Sequence, residues 1–335
     1  MTDHTLPEVS IVMANFNGAA YIGDAIESAL AQTLGSIEVI VADDASTDCS
    51  CATVQAIAAR DARVRLLPSV INAGPGAARN RAMAASRGRW IAVLDSDDLM
   101  EPRRLEILLG VATTTAAEIV ADDLAYIDEA ATLSGASLSA GQWPCVPYFT
   151  VSAQAFVESN RLYGRQPALG YLKPLFRRRT IEELGVRYSE SMRIGEDYDF
   201  ALRLLVQGAR LVVHPQALYR YRRRVTSISH RLTSAAVNAM RLGDEAFRRD
   251  LPGLDSSLLR SLDARMRSLD DALAYERTIE ALKQHKPLQA LRIALAQPGC
   301  IPLLRMPLLA RWRRARGPAG EAAGAADAGS SIRQS

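Results

Sequence analysis

The stretch "RWIAVLDSDDLMEP", residues 89–102, joins a short apolar run to three acidic residues, Asp95, Asp97 and Asp98. The run IAVL has the length and β-branched character of a buried strand, so the acids are expected to follow the end of a strand. At neutral pH three neighbouring carboxylates repel one another unless a cation or a helix N-terminus compensates them. Helix capping explains one acid, but not three. A D-x-D pair at a strand end is typical of a site for a hard divalent cation, Mg²⁺ or Mn²⁺, that bridges protein and substrate phosphate oxygens.

Strand and helix patterns alternate regularly before this stretch. The strand-like runs "VSIVMA", "IEVIVADD" and "RVRLL" alternate with the helical patterns "AYIGDAIESALAQT", "TDCSCATVQAIAARD" and "AGPGAARNRAMAAS". This order predicts an α/β fold with a mainly parallel sheet and helices on both faces. Ligands bind such sheets at the carboxyl ends of the strands, where this sequence places residues 15–17, Asp43 with Asp44, and the D-x-D acids. We therefore expect one polar, acidic crevice.

Two other enzyme classes fit this crevice poorly. A dinucleotide-binding fold needs its glycine motif directly after the first strand and an acid about twenty residues later. Here Gly74 and Gly76 follow the third strand, and Arg79 stands at the third glycine position, which argues against an oxidoreductase. A phosphatase with an aspartyl nucleophile also uses D-x-D after a strand, but "DSDDL" lacks the acid/base context of that chemistry.

Composition bounds the class of protein. The chain has 335 residues, of which 48% are apolar and 23% charged, which suits one large globular domain with an appendage. The net charge of +3 makes no case for nucleic acid as a partner. Basic clusters at residues 177–179, 220–224 and 311–316 form either solvated faces or contacts with phosphates and anionic lipid.

The cysteines and the N-terminal residues help to predict the cellular compartment of the protein. The four cysteines have no zinc-site spacing and are typical of thiols in a reducing compartment. The opening "MTDHTLPEVS" lacks the pattern of a secretory signal, and the uncharged region 130–157 is too polar for a membrane span. We expect a cytoplasmic protein, and contact with the cytoplasmic face of the inner membrane stays open.

Five motifs now support a family resemblance. "VSIVMANFN", "IEVIVADDASTD", "NAGPGAARNRA", "GRWIAVLDSDDLMEPRRL" and "RIGEDYDFALRL" occur in this order over roughly residues 8–230. Together they resemble the family 2 inverting glycosyltransferases, whose GT-A fold is a Rossmann-like, mixed and mainly parallel sheet flanked by helices. "SNRLYGRQPALGYLKPLFRR" and "YRYRRRVTSISHRL" resemble, more narrowly, bacterial glucosyltransferases of succinoglycan-type exopolysaccharide assembly.

The resemblance implies roles for residues that bind the nucleotide-sugar donor. Ala14 and Phe16 fall where the family lines its uridine pocket. Asp44 matches the acid that accepts a hydrogen bond from uracil, with Asp43 beside it, although helix capping is the alternative for this pair. Arg79 of the "ARN" motif matches a residue that faces the nucleotide.

Further matches concern the diphosphate and the metal. Asp95 and Asp97 form the D-x-D signature, in which Asp97 is expected to touch Mg²⁺ or Mn²⁺, with Asp98 as a second ligand or a substitute. Many relatives carry a histidine after "YRY" near the diphosphate, and this chain has Arg224 there. Arginine can hold phosphate but cannot ligate a metal.

The "IGEDYDF" motif supplies the chemistry on the acceptor. Inversion by a single displacement needs one base that takes the proton of the attacking hydroxyl. The resemblance assigns this role to Asp197, which Glu196 and Asp199 crowd. Like charges raise the pKa of a carboxylate, whereas a helix beginning there lowers it, and the sequence leaves this balance open. Acids that merely decorate a helix start are the alternative.

The organisation of the chain follows. We expect a GT-A domain over residues 1–235, with a nucleotide-sugar half to about residue 125 and an acceptor half from 126 to 235. A helical extension is expected over residues 236–316, packing on the catalytic domain or on a second subunit of a homo-oligomer. Its basic, leucine-rich end "PLLRMPLLARWRRAR" is a candidate for peripheral membrane contact, and residues 317–335 have the composition of a disordered tail.

These expectations combine into a function. We expect the protein to transfer a hexose from a UDP-sugar donor to a glycan that grows on a polyprenyl lipid carrier. Glucose is the expected hexose. The Q-x-x-R-W motif of processive members is absent, so one sugar is added per encounter. The alternatives are a transferase of another envelope glycan, lipopolysaccharide or capsule, that uses a different UDP-hexose, and an inactive nucleotide-binding scaffold of a polysaccharide-assembly complex.

Overall fold

The computed structural model describes residues 6–223 and 233–305. The chain divides into two compact units, residues 1–266 and residues 267–335. In these described ranges the strands are β1 Val9–Asn15, β2 Ile37–Asp43, β3 Val64–Leu67, β4 Trp90–Val93, β5 Leu99–Met100, β6 Ile119–Ile127, β7 Leu133–Ser137, β8 Phe149–Val151, β9 Leu175–Arg177 and β10 Leu211–Arg222. The α-helices are α1 Ile22–Leu30, α2 Ser50–Ala58, α3 Pro75–Ala84, α4 Arg104–Thr115, α5 Ala153–Ser159, α6 Arg178–Leu184, α7 Glu196–Val206, α8 Ser234–Asp250, α9 Ser256–Lys283 and α10 Pro287–Ala296.

One mixed sheet organises the first unit. Its strand order is β3-β2-β1-β4-β9-β6-β10-β5, and β7 pairs with β6 while β8 pairs with β10. The first four strands to appear in the chain run parallel to one another, as their alternation with helices predicts. β9 is antiparallel to both β4 and β6 and joins the two halves of the sheet. The predicted fold class, a mixed sheet flanked by helices with a helical C-terminal region, is confirmed.

Burial explains the apolar runs of the central strands. Every residue of β2 is buried, and β1 is buried except at Ala14. Strands covered on both faces need continuous apolar sequence rather than alternation. Among the helices, α3 packs against β1 and β2, and α4 packs against β6 and β10.

The register of the parallel strands brings their polar ends together. Asn15 at the end of β1 pairs with Asp43 at the end of β2, and Val12 pairs with Val93 of β4. Since β4 ends at Val93, the D-x-D acids follow directly at the same edge of the sheet. The polar residues therefore meet at the carboxyl ends of these strands, as the sequence predicts.

The second unit is helical in its described part. It consists of α9 from residue 267 onward, followed by α10 and a 3₁₀ segment, Pro298–Arg305. Ala274, Ala294 and Cys300 form a small buried cluster. In residues 6–223 and 233–305, no helix combines the length and the apolar composition that crossing a bilayer requires. The domain boundaries inferred from the sequence stay predictions.

Candidate active site

Arg79 is the centre of a buried ionic cluster. Its side chain on α3 is 5% exposed. Nη2 lies 2.7 Å from Asp95 Oδ1, while Nη1 lies 2.6 Å from Glu196 Oε1 and 3.3 Å from Asp197 Oδ1. One guanidinium thus connects the D-x-D motif to the acid pair that begins α7. The structure brings together four residues that come from three separate motifs of the sequence.

Lys173 is a second cation at the same place, and the sequence analysis assigned it no role. Its ammonium lies 2.8 Å from Asp95 Oδ2 and 2.7 Å from Asp197 Oδ2. The residue is buried just before β9, within the apolar run "LGYLKPLF". A lysine inside such a run was the available signal, because buried lysine is rare unless it is paired.

The two cations set the charge state of the cluster. Burial alone would raise the pKa of Asp95, but the neighbouring charges of Lys173 and Arg79 outweigh it and hold that pKa below its usual value. Burial would lower the pKa of Lys173, yet Asp197 and Asp95 raise it well above the ordinary range. Burial and the charge of Asp197 raise the pKa of Glu196. The site therefore keeps ionised Asp95 beside protonated Lys173.

Local backbone features place α7 against α3. Gly195, with φ of 85°, turns the chain into α7, a conformation that favours glycine. Asn80 of α3 donates to the carbonyl oxygen of Tyr188 at 3.0 Å and accepts from its N–H at 2.9 Å. A Cβ on Gly76 would lie 2.6 Å from the carbonyl oxygen of Ser189, so only glycine allows this close approach. The "GPGAARN" stretch thus holds the segment that leads to the acid pair.

The three acids after β4 have different surroundings. Asp98 is 1% exposed; Oδ2 accepts from the hydroxyl of Tyr219 at 2.8 Å and Oδ1 from the N–H of Arg222 at 2.7 Å. Burial and the charges of Asp97 and Asp95 raise its pKa well above the ordinary range. Asp98 therefore anchors the turn after β4 to β10.

Asp97 differs from Asp98 in exposure. Its side chain is half-buried, and its carbonyl oxygen accepts from Arg222 Nε at 2.7 Å. The sequence shows a basic cluster around Arg222, but not that this arginine supports the D-x-D turn. Arg224, the predicted diphosphate contact, lies outside the described residues.

The carboxylates after β4 differ in their fit to a divalent cation. Within the described ranges, no group of three or more His, Cys, Asp or Glu side chains is arranged to enclose a metal. Magnesium sites in nucleotide enzymes use one or two carboxylates together with substrate phosphates, so a single accessible carboxylate fits this type of site. Asp97 meets that description. Asp98 is sealed by its hydrogen bonds, and both oxygens of Asp95 contact cations of the protein.

The predicted nucleoside residues lie at the ends of β1 and β2. Asp43 is buried and accepts from Asn15 Nδ2 at 2.7 Å and from the hydroxyl of Ser46 at 2.6 Å. These bonds tie together the loops that follow the two strands. Phe16 is 53% exposed at the mouth of the crevice, and Ala14 is half-buried.

Asp44 holds the start of α3. Its two oxygens accept from the N–H groups of Ala73 at 3.1 Å and Gly74 at 2.7 Å. Arg81 adds a contact of 3.5 Å to the same carboxylate. Asp44 therefore supports the start of α3, whereas the alternative considered from the sequence was a cap on α2, the helix that follows it in the chain. The uracil contact stays a prediction.

Comparisons with known proteins show the family of the chain. A family model described as "Glycosyl transferase family 2" matches residues 10–163. The chain is 42% identical to the succinoglycan biosynthesis protein ExoO of Rhizobium meliloti, over 92% of this chain and 87% of that protein. It is 34% identical to ExoU of the same organism, over 97% and 94% of the two chains.

Two solved structures share the fold. The S. aureus TarS fragment in complex with UDP-GlcNAc aligns with a TM-score of 0.58 at 16% identity, covering 87% of this chain and 92% of that chain. The mannosyltransferase PcManGT from Pyrobaculum calidifontis, in complex with GDP-Man and Mn²⁺, aligns with a TM-score of 0.59 at 17% identity, covering 93% and 83%. These structures show a GT-A fold, and the family model together with ExoO and ExoU shows that the chain is a glycosyltransferase. The chain belongs to glycosyl transferase family 2.

Proposed function

We propose that this glycosyltransferase is inverting and non-processive, and that it moves glucose from a UDP-sugar to an exopolysaccharide repeat unit growing on a lipid carrier. The observation that carries the proposal is the position of Asp197. Its carboxylate lies at the start of α7 and shares both Arg79 and Lys173 with Asp95 of the D-x-D motif. A candidate base for the acceptor thus adjoins the candidate donor site.

The donor and the acceptor are inferred from relatives. ExoO and ExoU are named as succinoglycan biosynthesis proteins, and their similarity extends over almost the whole chain, which supports an exopolysaccharide acceptor. A structural neighbour is described in complex with UDP-GlcNAc, which supports a UDP-linked donor. Phe16, exposed beside Asp43 and Asp44, offers an aromatic surface for the nucleoside, and Ala14 leaves room for it.

The residues of the cluster have distinct parts in the reaction. The acceptor hydroxyl oxygen bonds to the anomeric carbon, the bond from that carbon to the diphosphate breaks, and Asp197 takes the hydroxyl proton. Lys173 and Arg79 hold the two oxygens of Asp197 in fixed positions. Glu196, whose pKa is raised, contacts the same nitrogen of Arg79, Nη1, as Asp197 and helps to keep the guanidinium in place. Orientation of this kind contributes to the rate because the acceptor meets a base already in position.

Asp97 is the residue that would hold Mg²⁺ or Mn²⁺, together with the diphosphate. When bound there, the cation supplies positive charge for the leaving diphosphate. Asp98 supports the turn that carries Asp97, since its own oxygens are occupied by Tyr219 and Arg222. Asp95 belongs to the same turn and links it to Lys173.

Contact with an anionic lipid surface is part of the proposal, because a lipid-linked acceptor resides at a membrane. On α10 the side chains of Leu288, Leu291 and Leu295 are 74%, 55% and 67% exposed. Their spacing of three and four residues places them on one face of the helix. Residues 281–305 contain four lysines and arginines and no acidic residue. An exposed leucine face in a basic segment is the composition of a helix that lies in a membrane interface.

The decisive experiment compares donor binding with transfer. Purified full-length protein is incubated with Mn²⁺ and UDP-glucose, UDP-galactose or UDP-GlcNAc, and with lipid extract from polysaccharide-producing cells as acceptor. We expect UDP-glucose to be used best, and Asp197→Asn to bind UDP normally while transfer falls by roughly 10²-fold or more, the range of general-base catalysis. Glu183→Gln, an exposed acid on α6, is the control that should match wild type.

Other outcomes separate the alternatives. Preference for a different UDP-hexose would favour a transferase of another envelope glycan. UDP binding by the wild type without any transfer would favour an inactive scaffold. Substantial transfer by Asp197→Asn would remove this residue as the base.

A further inference from the structure

A small groove lined by aromatic rings lies beside the candidate active site. Its volume is about 210 Å³. Its walls come from β6, the end of β10, the residue after β7 and the segment before Lys173, and they include Leu124, Tyr126, Leu138, Tyr171, Tyr221 and Arg223. Neither the predicted site residues nor the ionic cluster around Arg79 accounts for this groove.

The segment that carries Tyr171 connects the groove to the cluster. The N–H of Gly170 donates to Asn160 Oδ1 at 2.9 Å, and a Cβ on Gly170 would lie only 3.1 Å from Tyr198 Cβ. This segment therefore lies directly against the first turn of α7. Tyr171 is two residues from Lys173, so their Cα atoms are at most about 7 Å apart. Lys173 contacts Asp197, the candidate base, at 2.7 Å.

The walls of the groove are held by contacts of their own. The rings of Tyr126 and Tyr221 meet edge to face, with centroids 6.0 Å apart and planes at 90°. The guanidinium of Arg223 covers the ring of Tyr126 at 3.5 Å from its centroid, and the N–H of Arg223 donates to the carbonyl oxygen of Ile127 at 2.9 Å. Tyr171 is 46% exposed and presents the open aromatic surface.

We propose that this groove binds the terminal sugar of the acceptor, with its ring packed on Tyr171 and its hydroxyl groups hydrogen-bonded to Arg223. The inference rests on the proposed function, which requires an acceptor glycan next to Asp197. A pyranose ring has C–H groups on its faces and hydroxyl groups at its edge, so an aromatic wall with one fork of N–H donors is complementary to it. Sites for whole drug-sized ligands occupy roughly 300–1,000 Å³, so a groove of about 210 Å³ suits a single sugar ring rather than a nucleotide.

The test uses p-nitrophenyl β-D-glucopyranoside and β-D-galactopyranoside as acceptor probes. Binding to full-length protein is followed by saturation-transfer NMR in the presence of UDP, and transfer from UDP-glucose gives kcat and KM for the probe. We expect Tyr171→Ala to raise the dissociation constant and the KM of the probe at least tenfold, with kcat changed less than threefold. Tyr171→Phe keeps the ring and should bind like wild type. Tyr148→Ala, a surface tyrosine with 38% exposure outside the groove, is the matched control.

Each outcome decides between the alternatives. Unchanged probe binding in Tyr171→Ala, equal losses in Tyr171→Ala and Tyr148→Ala, or failure of both probes to bind the wild type would overturn the proposal. The UDP affinity of every variant shows whether its nucleotide-sugar half, the residues up to about 125, is folded. If the wild type binds a probe through Tyr171 but transfers no sugar from any UDP-hexose, the groove stands and the proposed function fails.

Discussion

Asp95 follows β4 and Asp197 lies in the first turn of α7, yet Lys173 bridges their carboxylates, at 2.8 Å from Asp95 Oδ2 and 2.7 Å from Asp197 Oδ2. Arg79 joins the same two residues through their other oxygens. The turn that carries the D-x-D motif and the start of α7 are therefore coupled by two buried cations rather than merely adjacent. Removing either cation should affect both segments.

Lys173→Met should destabilise the protein. Breaking a buried ion pair by removing one partner typically costs about 3–5 kcal/mol, and partial exposure of both acids places the expected loss near the lower end. The measurement is urea unfolding at pH 7. Lys283→Met, an exposed lysine on α9, is the control and should change the unfolding free energy by less than about 0.5 kcal/mol.

The stability loss in Lys173→Met should depend on pH, and the pKa of Asp95 determines the direction of this dependence. The pKa of Asp95 is lower in the folded chain than its unfolded value of about 3.9, so its contribution to stability is present above that value and is lost as the pH falls through the folded pKa. Without Lys173 much of this contribution is missing. The difference in unfolding free energy between wild type and Lys173→Met should therefore hold from pH 7 down to about 4 and shrink as the pH falls further, towards the folded pKa. A constant difference over this range would contradict the pairing.

Asp97→Ala should weaken UDP binding only when metal is present. If Asp97 holds the cation beside the diphosphate, the dissociation constant of UDP in Mn²⁺ should rise at least tenfold, which is about 1.4 kcal/mol. In EDTA the variant and the wild type should bind UDP alike. Calorimetry with and without Mn²⁺ makes the comparison, with Asp24→Ala on the surface of α1 as control. The same Mn²⁺ dependence in both variants would exclude Asp97 from the metal site.

Much of this arrangement follows from sequence patterns, because they are local. Alternating strand and helix signals identify the parallel half of the sheet, and the polar residues after each strand locate the crevice. The insertion of β9 between β4 and β6 depends on pairings between distant segments, which no local pattern encodes. The apolar run around Lys173 indicates a buried and paired lysine, but only the folded chain shows that Asp95 and Asp197 are its partners.

The pair Asp43 and Asp44 shows that a motif alone does not determine what a carboxylate does. Asp43 and Asp44 resemble nucleotide contacts in their motif, and the fold uses both to hold loops and a helix start. A carboxylate accepts several hydrogen bonds, so residue type alone does not separate support from ligand binding. Distinguishing them requires the partners of each oxygen.

Gly76→Ala should lower both stability and transfer. The new Cβ would lie 2.6 Å from the carbonyl oxygen of Ser189, which is backbone and cannot rotate away. We expect a loss of about 1–3 kcal/mol in unfolding free energy, and a larger fall in transfer than in UDP affinity because the segment leading to Asp197 is displaced. Gly110→Ala on α4 is the control; its Cβ meets nothing within 4 Å, so a helix stabilised by about 0.5–1 kcal/mol is expected. Similar stability for both variants would refute the close contact.

Replacing the leucine face of α10 should release the protein from anionic membranes. Leu288, Leu291 and Leu295 are all more than half exposed, and transferring a leucine side chain fully out of water contributes roughly 1.5–3 kcal/mol, so the triple serine variant should lose at least tenfold in vesicle affinity. The measurement is co-sedimentation with vesicles of phosphatidylglycerol and phosphatidylcholine. Leu133→Ser with Leu242→Ser, exposed leucines outside α10, is the control and should bind like wild type. Binding should also weaken with salt, since basic residues near α10 contribute through charge. Equal binding by the triple variant and the control, or dimerisation lost with the leucines in the absence of lipid, would assign this face to a protein contact instead.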